Sequence, residues 1–232
     1  MAGSDVIYFT PEEFLLMMEF SGGGEYVLFR EEKMPEREDI LQAAFRLYRR
    51  KYIREEDGKF LPEKDGLFFK KLHDAPWAVL AEPASPEIPD TAFYPAGADF
   101  YMVEYLQDDR VKTCRLSTIT RPGIRAWLTD AGVLDEPFIS DGDTEDLNAV
   151  FAAQEEDGGD EPETPEPQDT VLTLRKTGPG GVILEEAEVF RNSRGWFIRT
   201  AGQEGEGPEW YTTEALERML DRCFGKEQND HR

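Results

Sequence analysis

Apolar positions in the first part of the chain switch between two periods. Val6 to Phe9 is a short apolar and aromatic run that reads as a strand. It leads directly into Thr10-Pro11-Glu12-Glu13. Thr10 suits a helix N-cap, Pro11 the first helical position and Glu13 the return bond of a capping box. Phe14, Leu15 and Met18 then form one apolar helical face, Gly22-Gly23-Gly24 ends the helix, and Tyr26 to Phe29 reads as a second short strand. From Glu36 to Arg54, Leu41, Ala44, Phe45, Tyr48 and Tyr52 recur at helical spacing with Arg46, Arg49, Arg50 and Lys51 between them. This pattern predicts a long helix with that apolar set turned inward and its cations paired with carboxylates. Asp57-Gly58 marks a turn, Phe68, Phe69 and Leu72 after Pro62 predict a third helix, and Trp77 to Glu82 is extended.

A Pro-rich stretch over 83–95 precedes two alternating segments, Ala98 to Leu106 and Arg110 to Ile119, which predict a hairpin. A two-residue turn at Asp108-Asp109 sets Glu104 opposite Thr113 and Met102 opposite Arg115. Tyr101, Val103, Tyr105, Cys114 and Leu116 then share the more apolar face and read as core. Phe100, Met102, Glu104, Thr113 and Arg115 share the other. Large apolar side chains mixed with an Arg and a Glu fit a protein-contact surface, and fit equally a face covered by a helix. Phe100, Met102 and Arg115 are the candidate partner-binding residues, because such side chains anchor interfaces. Thr120 caps the next helix, with Ile124, Trp127, Leu128 and Ala131 on one face and Gly132 at its end.

Residues 141–169 hold twelve Asp and Glu and no Lys or Arg, together with Gly158-Gly159 and three prolines. Such a stretch buries too little apolar surface to offset the entropy of ordering it, so a disordered linker or loop is expected. Within it, Leu147, Val150 and Phe151 have the spacing of a short helix, a docking motif or a solvated turn. Beyond it, Val171 to Lys176, Val182 to Arg191 and Trp196 to Thr200 read as strands, with Arg191 opposite Trp196 and Glu188 opposite Arg199. Thr212 caps a final helix carrying Leu216, Met219, Leu220 and Phe224. The predicted fold class is α+β: an antiparallel central sheet flanked by helices, in two pseudo-repeated sheet-plus-helix halves. The halves span 1–139 and 170–225, with the acidic segment 140–169 between them and a polar tail over 226–232.

Charge then narrows the partners. The 232 residues carry a formal net charge of -23, which repels phosphate backbones and anionic membranes, so neither nucleic acid nor membrane is expected as a partner. No apolar run approaches the twenty residues of a membrane-spanning helix, and the amino-terminal residues lack the basic and apolar regions of a secretory signal. Two widely separated cysteines, Cys114 and Cys223, fit a reducing compartment, so a cytoplasmic location is expected.

Catalytic patterns are sparse. His73 and His231 are the only imidazoles, too few for a His-based triad or a zinc site. There is no G-x-S-x-G elbow, no phosphate-binding glycine loop and no EF-hand pattern. No catalytic residue, metal ligand or cofactor is expected, and the chain reads as a non-enzyme that binds proteins.

The layout resembles the EspG family of type VII (ESX) secretion chaperones. The resemblance rests on Val6-Ile7-Tyr8-Phe9-Thr10-Pro11-Glu12-Glu13-Phe14, on Glu25-Tyr26-Val27-Leu28, and on the long helix ending near Tyr52 with its Asp57-Gly58-Lys59-Phe60-Leu61-Pro62 turn. It closes with Arg194-Gly195-Trp196-Phe197-Ile198 and Trp210-Tyr211-Thr212-Thr213 ahead of the helix on Leu216, Met219 and Leu220. It implies a central sheet with a helical subdomain, a quasi-twofold arrangement, and a cytosolic chaperone or adaptor that binds a helical secreted client. The acidic linker departs from that family and leaves the position of a client groove open. The alternative function is an immunity protein that covers a basic toxin with carboxylates; a further one is an enzyme with an unfamiliar carboxylate site.

Overall fold

The computed structural model describes residues 6–22, 36–63, 66–107, 112–130, 134, 169–192, 195–201 and 208–225. The strand expected at 26–29, the motif at 147–151 and nearly all of the acidic segment lie outside them.

The chain opens with β1 (Ile7–Phe9) and α1 (Pro11–Ser21). The capping box forms as predicted: Glu13 N–H donates to Thr10 Oγ1 at 3.3 Å and Thr10 N–H donates to Glu13 Oε2 at 3.1 Å. Gly22 closes the helix at φ 151°, and a Cβ there would meet the His73 ring at 2.5 Å, so a side chain would separate the ends of two helices. Next comes α2 (Arg37–Arg49), shorter than the predicted element. Lys51 at φ 60° turns the chain out of the helix, so Tyr52 is not helical and Ile53 begins a hairpin, β2 (Ile53–Glu56) and β3 (Lys59–Pro62). Asp57 and Gly58, at φ 52° and 74°, make its tight turn. Helix α3 (Leu67–His73) follows, so a hairpin separates the two helices where the sequence suggested helix-turn-helix.

The remaining elements are β4 (Ala78–Pro83), β5 (Thr91–Ala96), β6 (Asp99–Gln107), β7 (Lys112–Thr120), α4 (Arg121–Asp130), β8 (Asp169–Thr177), β9 (Ile183–Asn192), β10 (Gly195–Ala201), β11 (Glu209–Trp210) and α5 (Thr213–Phe224). Nine strands form one antiparallel sheet in the order β1-β7-β6-β5-β4-β8-β9-β10-β11. Strand β5 arises inside the Pro-rich stretch, with Pro95 near its end. From the central β4–β8 pair, which runs from Ala78↔Thr177 to Pro83↔Leu172, each half meanders outward and then sends a helix back over the sheet. Both returning helices lie on the same face, where Arg121 and Arg125 of α4 pair with Asp221 and Glu217 of α5.

Period-two alternation puts each strand's apolar residues on both faces of the sheet. Val79, Phe93, Phe100, Met102, Leu174, Val189 and Ile198 pack beneath α4 and α5. Phe9, Leu80, Ala92, Tyr94, Val103 and Cys114 pack beneath the layer of α1 to α3, around Phe14, Met17, Leu47 and Phe69. Each fully buried large apolar side chain contributes about 1.5–3 kcal/mol, so the helices on each face are held chiefly by these contacts.

The β9–β10 register is the predicted one, with Arg191 opposite Trp196 and Glu188 opposite Arg199. The β6–β7 register differs: Glu104 faces Arg115 and Met102 faces Ser117. Four residues, not two, connect these strands. Because the slip is by two positions, every side chain keeps its predicted face while the carboxylate of Glu104 gains a cation.

Candidate protein-contact surface

Phe100, Met102 and Arg115 do share one face, but it is roofed by a helix. Phe100 is 6% and Met102 9% exposed. The Phe100 ring lies 5.8 Å from Phe224 of α5 and 6.1 Å from Trp77. The covering helix, the second of the two readings that the sequence left open, accounts for these two side chains. Arg115 keeps 38% of its side chain exposed and pairs with the buried carboxylate of Glu104. The cation therefore offsets the cost of burying Glu104 beside the apolar cluster.

Helix α2 shows the opposite outcome. Three of its predicted core residues face outward, Leu41 being 61%, Phe45 62% and Tyr48 52% exposed, whereas Ala43 and Leu47 are buried, Ala44 is half-buried and Tyr52 packs against the core. The rotation is fixed by α1. Arg46 Nε donates to Glu13 Oε1 at 2.9 Å and Arg50 Nη1 donates to Glu13 Oε2 at 3.0 Å. Arg50 Nη2 also donates to the Tyr8 carbonyl at 2.9 Å, with its guanidinium 5.0 Å from the Phe9 ring centroid and 4.8 Å from that of Tyr52. With Arg46 and Arg50 drawn toward Glu13, Ala43 and Leu47 must face the core and the larger apolar residues must face water. A sequence signal existed: two apolar stripes, 41/45/48 and 43/47, are more than one buried face can take.

A second exposed apolar group lies at the end of the β8–β9 hairpin. Gly178-Pro179-Gly180-Gly181 turns there, with Gly180 and Gly181 at φ 73° and 71°, and the Gly178 N–H donates to the Val182 carbonyl at 2.8 Å. Val182, Ile183 and Leu184 follow and all three are exposed. Next to this hairpin, the face of β4, β8, β9 and β10 opposite α5 carries a charge ladder. Arg175 bridges Glu82 and Glu186, each at 2.8 Å, and Arg199 pairs with Glu188. Opposite signs alternate across the strands, so this surface is largely self-neutralised.

Titratable groups elsewhere are dispersed. His73 Nδ1 lies 3.0 Å from Asp74 Oδ1 near the surface. Both cysteines are buried thiols outside any disulfide, and burial pushes the Cys223 thiol up to about 12. Partial burial, with Glu82 nearby, raises the Asp90 carboxyl above its ordinary value. Among the described residues no group of three or more His, Cys, Asp or Glu side chains is arranged to hold a metal ion, and no helix is long and apolar enough to cross a membrane. Chemically, the described surface offers apolar anchors and paired charges. Compared with known protein families and with curated proteins, this sequence matches none.

Proposed function

We propose that this chain is a protein-binding chaperone or adaptor that holds a helical partner, in the manner of the EspG-like chaperones its sequence resembles, and that the partner is an exported type VII client. The observation that carries this reading is the exposed Val182-Ile183-Leu184 group at the β8–β9 turn. Exposed apolar side chains clustered at the tip of a strand pair are the kind of group that an amphipathic helix of a partner can cover. Their exposure costs solubility in the free protein and is repaid when a partner covers them. The charge of -23 favours a partner surface with basic residues around the apolar contact.

Tagged protein purified from its native host tests the reading. The expected result is a predominantly helical co-purifying protein that aggregates or stays unsecreted without this chain. It is lost from the Ile183→Asp variant while thermal unfolding of that variant is unchanged. Recovery of a basic enzyme that kills cells when expressed alone supports the immunity alternative instead, and unaltered recovery by Ile183→Asp removes the hairpin from the contact.

A further inference from the structure

We propose that two copies of this chain associate through α2, packed antiparallel about a twofold axis beside Phe45. Leu41, Phe45 and Tyr48 are spaced i, i+4, i+7, the seam of a helix that packs lengthwise against another helix. All three are more than half exposed although α2 is anchored firmly on its other side by Ala43, Leu47 and the Glu13 clamp. The seam is therefore a fixed feature of the folded chain.

Charge selects the occupant. Glu38 and Asp39 stand at the start of α2 and Arg49 and Lys51 at its end, all four exposed. Arg46 and Arg50 are spent on Glu13, whereas Glu38, Asp39, Arg49 and Lys51 take part in no ion pair among the described residues. A parallel neighbour of the same sequence would oppose like charges at both ends. An antiparallel copy instead brings Leu41 against Tyr48 of the other protomer, Phe45 against its own counterpart across the axis, and Glu38 and Asp39 toward Arg49 and Lys51. Helix dipoles also oppose in this arrangement. An antiparallel partner helix needs this same order of acids, apolar seam and cations, and α2 of a second copy supplies it. A twofold contact is isologous and closes at two copies, so it does not lead to fibres. One 13-residue helix presents less than the roughly 800 Å² per partner of a standard interface, so dissociation in the micromolar range is expected.

Sedimentation equilibrium of the full chain between about 1 and 200 µM, a range chosen to span that micromolar dissociation, reads the association. The expected result is a mass that rises from 26.5 kDa toward twice that value, with the association at least about tenfold weaker in Phe45→Glu and its urea unfolding unchanged. Cys114 and Cys223 are buried, so an introduced surface thiol reports alone. Phe45→Cys should cross-link to itself under mild oxidation, whereas Leu41→Cys should cross-link only when mixed with Tyr48→Cys. A mass of 26.5 kDa at every concentration, a dimer indifferent to Phe45→Glu, or a dimer in which Phe45→Cys does not cross-link would each overturn the proposal.

Discussion

The carboxylate of Glu13 accepts from Arg46 Nε through its Oε1 at 2.9 Å, joining the first turn of α1 to the last turn of α2 across 33 positions of sequence. Glu13 is also the return partner in its own helix's capping box and the acceptor for Arg50. Only 3% of its side chain is exposed, against 42% for Arg46 and 38% for Arg50. One carboxylate thus sets both the start of α1 and the rotation of α2.

Replacing Glu13 with Ala removes a buried charge from two cations that can partly rehydrate, so the loss should fall at the low end for broken buried pairs, about 3 kcal/mol. Arg46→Ala and Arg50→Ala should each cost less, about 1.5 kcal/mol, because the other cation remains. Urea unfolding of the three variants checks the order. If Glu13→Ala unfolds like the parent chain, α2 is held by Ala43 and Leu47 alone, and its outward seam is less firmly fixed than the geometry indicates.

Phe100 meets Phe224 nearly edge to face, with rings 89° apart, beneath the carboxyl-terminal end of α5. Truncating it to Ala leaves a cavity between the sheet and that helix and should cost about 3–5 kcal/mol. Phe100→Leu, which keeps most of the volume, should cost less than half of that. Thermal unfolding separates this packing role from a contact role. A fully stable Phe100→Ala variant would mean that α5 does not close over the strand.

Helix α5 depends on its cap as well as its core face. Thr212 is buried and its Oγ1 accepts the Ala215 N–H at 3.1 Å. Thr212→Ala should destabilise the protein by about 1 kcal/mol, and Thr212→Ser should restore most of the loss because the accepting oxygen returns. Denaturant midpoints of the two variants measure it. Equal midpoints for Ala and Ser would assign Thr212 to packing through its methyl group.

Local chemistry made parts of this fold legible. Thr10, Pro11 and Glu13 specify a helix start through bonds that span three residues, and Glu188 with Arg199 specifies a register through one cross-strand pair. What failed depended on distant partners. Leu41, Phe45 and Tyr48 form a better apolar stripe than Ala43 and Leu47, and only the Glu13 clamp, 33 and 37 positions away, decides which stripe is buried. Strand β5 was hidden because Pro89 and Pro95 bracket it, yet Pro95 sits near the strand's end, where a missing N–H costs little. The α+β sheet with helices on both faces was readable from alternation and caps. Phe100 and Met102 are the converse of α2: their strand pattern allowed a surface or a roof, and α5, more than 100 positions later, supplies the roof.

Two buried acids make the fold sensitive to alkali. Burial raises the Cys223 thiol from its ordinary 9.0 to about 12. Burial, with Cys114 nearby, also raises the Tyr94 phenol well above its ordinary 10.0, and its hydroxyl has no hydrogen-bond partner among the described residues. In the unfolded chain both groups release their protons at ordinary values, while in the folded chain both keep them. The folded state then binds more protons, so stability is complete below pH 9 and falls as pH rises, first through Cys223 and then, above pH 10, through Tyr94. The slope approaches about 1.4 kcal/mol per pH unit for each group. Urea midpoints taken from pH 8 to 11 should therefore decline with a break near pH 10. Cys223→Ala should flatten the first part. Tyr94→Phe should flatten the second and, by removing an unpaired buried hydroxyl, also raise stability at pH 8 by about 1 kcal/mol. A midpoint that stays level to pH 11 would mean that neither group holds its proton more tightly in the folded chain, and a Tyr94→Phe variant less stable than the parent at pH 8 would mean that the phenol finds a partner in the folded protein.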